Sequence, residues 1–139
     1  MIQAPPAEFS LDSYRIIKYA AATPENEEQP INLNFNAKGE FTNLNSSYTL
    51  TFDFAATGSE DNSDIVTATM VAFFSFKESV DVSQVPEYFY SNSLGIVFPF
   101  MRAFVSSLTM LAGGRQMILP IVNLSSLGAE LKENTTINK

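Results

Sequence analysis

The chain has 139 residues, of which 45% are apolar and 17% charged: a globular composition with enough length for one modest core and no separate catalytic domain. Fifteen acidic against eight basic residues give a formal charge of −7, which repels phosphate backbones and argues against a nucleic-acid partner. His, Cys and Trp are all absent, which removes the usual general base, thiol chemistry, disulfides and the common ligands of a transition metal, and leaves only carboxylate or Ser/Lys chemistry.

The N-terminus, MIQAPPAEFSLD, has neither a basic n-region nor an apolar h-region, so no signal peptide is expected and the cytoplasm is the expected compartment. From Phe9 to Tyr19, β-branched and aromatic residues predict a strand. AAATPENEEQP, with Pro24 and Pro30, reads as a loop. Then Ile31, Leu33, Phe35 and Ala37 alternate with Asn32, Asn34 and Asn36, a half-buried strand with one wet face, and Lys38-Gly39 suggests a turn or bulge. Leu50, Phe52 and Phe54 alternate with Thr49, Thr51 and Asp53 in a third strand, and GSEDNSD forms an acidic turn. A fourth strand spans Ile65 to Phe76. Val66, Ala68, Met70, Ala72, Phe74 and Phe76 make a continuous apolar row, and the mixed opposite row places this strand inside the sheet.

The pattern then changes period. VPEYFYSNS suggests a short helix ending near Asn92. Val97, Met101, Phe104, Val105, Leu108 and Leu111 follow at helical spacing. Pro99 fits only a first turn, so the long helix is expected to begin near Val97 or Phe98 and to stop at Gly113-Gly114. The apolar stretch from Leu94 to Leu111 is short for a bilayer and is interrupted by Pro99, Arg102, Ser106 and Ser107, so no membrane insertion is expected. MILPIVNL is an extended apolar crossover with a proline that disqualifies it as an interior strand. A short helix capped by Asn123 or Ser125 is expected to end near Glu133, followed by a frayed tail, ENTTINK. Strands first and helices last make residues 1–139 a single α+β domain: a four-stranded antiparallel sheet, a long helix, an extended crossover and a short C-terminal helix.

Three features invite a chemical reading. Glu25, Glu27 and Glu28, and Glu60, Asp61 and Asp64, could hold Ca²⁺ or act as acid–base pairs, but neither run has EF-hand spacing, and solvated loops are the expectation. Gly113-Gly114-Arg115 follows a helix instead of opening one, which reads as a C-cap and not an anion site. Ser106-Ser107 has no base beside it. No metal or cofactor is therefore expected, and a carboxylate hydrolase is the weakest of the readings.

The apolar load says more. Twelve Phe, five Tyr and five Met are many for so small a sheet. The long helix is apolar nearly all round, since Phe98, Phe100, Met110 and Ala112 fall beside the main stripe. A helix apolar on two sides asks to be buried on two sides, by oligomerisation or by a groove that accepts apolar chains.

The stretch LGIVFPFMRAFVSSLTMLAGGRQMILPIVNL resembles the SecB family of export chaperones. SecB proteins carry a comparable aliphatic-Phe-Pro-aromatic block followed by Arg, here Val97-Phe98-Pro99-Phe100 and Arg102. They then have a Gly-terminated helix and a Pro-Val-Asn-aromatic crossover end, here Pro120-Ile121-Val122-Asn123-Leu124. Gln29-Pro30 and Phe74-Ser75 are similar too. The resemblance implies an ATP-independent holder of unfolded polypeptides or preproteins that needs no cofactor. It implies a homotetramer, a dimer of dimers with the long helices between sheets, and transfer of clients to the SecA motor. With the pattern, it makes Leu33, Phe35, Ile118, Leu119, Ile121 and Leu124 the expected groove, and Val97, Met101, Phe104, Val105 and Leu108 the expected oligomer interface. Thr67 stands where the family has a carboxylate for motor docking, Val71-Ala72 replaces a Gly pair, and the second helix lacks the family's aromatic residues. These departures point to a divergent member with a narrower client set, of the kind that serves a toxin–antitoxin pair. An oligomeric module that binds one folded partner is the alternative from another class.

Overall fold

The structure, a computed structural model, describes residues 8–139; residues 1–7, where no signal peptide is expected, lie outside the described residues. Four long strands, β1 (Phe9–Ala21), β2 (Ile31–Thr42), β3 (Ser47–Gly58) and β4 (Asp64–Phe76), form antiparallel pairs in the order β1-β4-β3-β2. Consecutive hairpins join β2, β3 and β4, and β1 lies beside β4, a Greek-key arrangement. The turns between them place Ser46 and Asn62 at positive φ (50° and 55°), a conformation that short polar side chains tolerate. Register follows the alternation in the sequence. On β3 and β4, Tyr48, Leu50, Phe52, Phe54, Val66, Ala68, Met70, Ala72 and Phe74 are all buried on one face. The opposite face carries Thr49, Thr51, Asp53, Thr67 and Thr69, half-buried in the pleat. β4 sits between β1 and β3, inside the sheet as its two-faced pattern requires.

Helix α1 (Tyr88–Leu111) packs on the apolar face, burying Phe89, Leu94, Val97, Met101 and Val105. It is one continuous helix from Tyr88, with Pro99 in its interior, where the sequence predicts a break and a fresh start near Val97. The balance of energies explains the difference. An interior proline costs about 3 kcal/mol, because it withholds an N–H from the carbonyl four residues back and crowds it. Each large apolar side chain that α1 buries contributes about 1.5–3 kcal/mol, so the anchors on both sides of Pro99 outweigh the defect. The carbonyl left unpaired belongs to Gly95, an exposed position. At the other end the expected C-cap is present: Ala112 N–H reaches Leu108 O, and Gly113 takes φ +85°.

After the crossover, α2 (Leu124–Glu133) starts at Asn123, whose side chain accepts from the Ser125 and Ser126 amides at 3.0 and 3.4 Å. Gly128 is required where α2 meets α1: a Cβ there would lie 2.9 Å from the Ser91 backbone.

Two local expectations are overturned. The tail expected to fray forms β5 (Thr135–Asn138), parallel to β2 at Gly39–Thr42, so the sheet is mixed and five-stranded, β1-β4-β3-β2-β5. Thr-Thr-Ile is β-branched and α2 delivers it to a free sheet edge, which a reading of tail position alone overlooks. Lys38-Gly39 is neither a turn nor a bulge; β2 runs through it to Thr42 in regular register with β3. Gly39 is there because the Tyr48 ring crosses it: a Cβ would fall 1.9 Å from the phenol oxygen.

Candidate functional site

The crossover between α1 and α2, residues 112–123, has no ladder hydrogen bonds, and side chains hold it in place. The Thr109 hydroxyl, directed at Val105 O (2.9 Å), accepts the Met117 amide at 2.9 Å. Gln116 Nε2 donates to Ser106 Oγ at 2.8 Å. Asn123 fixes the far end as the cap of α2. Between these anchors the side chains divide. Met117 packs against the core and Leu119 is fully buried in it, whereas Ile118 is 62% and Ile121 96% exposed. Concavities flank both ends of the segment. One of about 490 Å³ lies at Gly114–Met117 against the β1–β2 loop and Ile31, Ile65 and Val66. Another of about 570 Å³ adjoins Val122, Leu124, Gly95, Ile96 and Phe9.

On β2, Leu33 and Phe35 are half-buried at the margin of the same apolar cluster. Phe35 is the better anchored: its ring centroid is 5.2 Å from Phe54, 5.9 Å from Phe98 and 6.0 Å from Phe52. Leu124 is half-buried at the start of α2. Of the six groove residues read from the sequence, Ile118 and Ile121 stand free, and Leu33, Phe35 and Leu124 are half-open. Leu119 is corrected to a core residue. The reason is Pro120. It keeps the crossover from pairing as a strand, and the inward turn at Leu119 plugs the core while its neighbours face out.

Three residues of the helix stripe are corrected in the same way. Val97, Met101 and Val105 are spent on the chain's own core, and Phe104 and Leu108 are half-buried. The open face of α1 is instead Ile96, Phe100, Ala103, Ser107, Met110 and Leu111. Phe100 stacks on Tyr14 of β1 at 4.6 Å, and Phe104 meets Tyr19 edge-on at 5.3 Å. Charge could have revealed this face: Arg102 is the one charged residue between Tyr88 and Leu111, and it lies off it. By length and apolarity α1 meets the requirements of a bilayer span, but a third of it is buried within the fold.

Hydrogen bonds tie the two acidic loops together through Gln29, Asn26, Glu60 and Asp61. Gln29 is buried, donating from Nε2 to Asn26 O (3.0 Å) and Asp61 Oδ2 (3.2 Å) and accepting the Glu60 amide (3.1 Å) on Oε1. Asp61 also accepts from Ser63 amide and hydroxyl. These bonds, the Ser63 hydroxyl first, hold the Asp61 carboxyl below the usual carboxylate range. Gly58 makes room for this network, since a Cβ there would meet Gln29 Oε1 at 2.5 Å. Among the described residues no cluster of three carboxylates or other ligands could hold a metal ion.

The outer sheet face is polar. Thr67 lies between Ala20 and Ala55 in register, and Thr69 donates to Asp53 at 2.6 Å.

No protein-family model matches the chain, and no curated protein matches it in sequence. Solved structures do. The SecB-like chaperone Rv1957 of Mycobacterium tuberculosis, in complex with a ChAD peptide from the Rv1956 HigA1 antitoxin, superposes with a TM-score of 0.68 at 15% identity, covering 84% of this chain and 88% of that one. A Streptococcus agalactiae protein of unknown function has a TM-score of 0.49 at 14% identity, covering 82% and 98%. The chain therefore has a SecB-like fold.

Proposed function

We propose that this chain is an ATP-independent chaperone of the cytoplasm that holds unfolded polypeptides against the crossover, β2 and the start of α2. One observation carries the reading. Ile118 and Ile121 are presented to solvent from a segment anchored at both ends, where folding energy would otherwise bury them. Half-open Leu33, Phe35 and Leu124 widen the apolar surface, and flanking concavities give an extended chain somewhere to lie. Such a surface recognises apolar side chains without demanding a sequence. Each anchored side chain contributes about 1.5–3 kcal/mol, so several weak sites on one oligomer hold a client by avidity. Holding a chain this way needs no catalyst, nucleotide or metal.

The likeness to a SecB-like chaperone complexed with an antitoxin peptide supports polypeptide clients and favours a second, narrower reading, a chaperone dedicated to one partner. Export by way of the SecA motor is the least supported element, because Thr67 on the outer face replaces the expected carboxylate. We further propose a homotetramer in which the uncharged face of α1 is covered by other copies.

The test is client binding by Ile118→Asp with Ile121→Asp. Capture of reduced, carboxamidomethylated lysozyme, a permanently unfolded basic chain, is expected to weaken at least tenfold with the fold intact. Undiminished capture contradicts the site. A wild-type chain that captures only one native partner and no unfolded probe supports the dedicated reading.

A further inference from the structure

The sheet edge beside the groove is only half covered. β5 pairs with β2 at Gly39–Thr42 and nowhere else, and Gly39 N–H donates to Asn134 O at 3.2 Å. That bond fixes the phase of the strand: odd-numbered β2 residues turn their amide and carbonyl outward, and even-numbered ones bond to β3. Ala37 O accepts from Asn134 Nδ2 at 3.4 Å, in keeping with this phase. Continuing toward the start of β2, the outward main-chain groups of Leu33 and Phe35 have no partner among the described residues. An edge that already accepts one short parallel strand thus keeps unpaired main-chain groups at Leu33 and Phe35, beside α2, which packs against the same strand.

We infer that a client docks by adding a strand to this open stretch of β2, so that main-chain hydrogen bonds to Leu33 and Phe35 supplement the apolar contacts. The inference rests on the client-holding reading and specifies its recognition mode. The occupant is an extended polypeptide segment, and the two faces of β2 define its chemistry. Its residues on the Leu33 and Phe35 side meet the apolar cluster; alternate residues lie beside the exposed amides of Asn32, Asn34 and Asn36. Alternating apolar and polar residues therefore fit. Glu27 and Glu28 with Arg115 line the concavity at the Ile31 end, and Asp53, Glu130 and Glu133 with Lys38 line another beside Ala37. Carboxylates outnumber bases at both ends, which favours a neutral or basic segment. Main-chain pairing also suits a holder of many sequences, because every peptide unit offers the same donor and acceptor.

Amide hydrogen exchange on the full chain, with and without saturating carboxamidomethylated lysozyme, tests this. Leu33 and Phe35 amides are expected to exchange freely alone and to slow at least tenfold with client, while Asn34, already bonded to β3, is unchanged. A client that binds while both amides stay unprotected overturns the inference and leaves the holding function standing. Protection without client that grows with chain concentration assigns the edge to a second copy and also overturns it. Failure to bind the probe at all removes both. A paired substitution checks the same point: Leu33→Pro deletes an outward N–H that the β2–β3 ladder does not use, whereas Leu33→Ala removes only the side chain. The proline variant is expected to bind about fivefold more weakly than the alanine variant; equal binding refutes the strand addition.

Discussion

At Tyr48 one side chain ties three elements together. Its ring lies over Gly39 of β2, packs edge-on against Phe89 of α1 at 4.9 Å, and its hydroxyl meets Thr135 Oγ1 at 2.6 Å. Thr135 donates in turn to Leu131 O at 2.7 Å, so the phenol is the donor to Thr135. Tyr48→Phe is expected to lower stability by about 0.5–1.5 kcal/mol in urea unfolding and to loosen β5 first. Burial pushes the Tyr48 phenol well above its usual value. A raised pKa means that the folded state favours the neutral phenol. Its contribution is full below the unfolded value of 10.0 and is lost as pH rises above it. Thermal stability should therefore fall more steeply above about pH 10 in the wild type than in Tyr48→Phe. Tyr90, raised by its own burial, leaves part of that slope in the variant. Gly39→Ala, which must displace the ring, is expected to cost about 1–3 kcal/mol. The requirement for Gly39 could not be read from its neighbours: Lys38-Gly39 resembles a turn until the aromatic partner across the strand pair is known.

Among the elements, the long strands were legible because period-two alternation is set by burial on one face, and β3 and β4 follow it residue by residue. The caps at Asn123 and Gly113 were legible because they rest on local hydrogen bonding and φ. What failed was whatever depended on a distant partner. Pro99 reads as a helix start until the sheet beneath Val97 and Met101 is counted. Thr135–Asn138 reads as a tail until a vacant edge of β2 is available. The crossover shows the same division within one segment. Its apolarity was plain, but not which residues turn inward. Leu119→Ala, opening a cavity in the core, is expected to destabilise the fold by about 2–5 kcal/mol in chemical unfolding. Ile121→Asp, at a position almost wholly exposed, should stay within about 0.5 kcal/mol of the wild type while weakening client binding.

For the molecule as a whole, the SecB-like fold was visible in the order of elements and in the Phe-Pro block and crossover of residues 94–124, although sequence identity to the structural neighbour is only 15%. The site was half visible, because a patterned sequence names apolar residues without saying which are left over after the core is filled. Those left over fall into two groups. The open face of α1, with Ile96, Phe100, Met110 and Leu111 and no charge, fits other copies of the chain. Ile96→Asp with Met110→Asp is expected to shift the proposed tetramer to smaller species in analytical ultracentrifugation, with the secondary structure retained.

The crossover residues fit clients, and the central claim is that they hold unfolded chains. Light scattering from chemically denatured lysozyme, diluted into buffer without nucleotide, tests it most directly. Addition of this chain at one subunit per client should suppress the rise in scattering, and Ile118→Asp with Ile121→Asp should restore it. An unchanged rise in the presence of the folded wild-type chain would contradict the account.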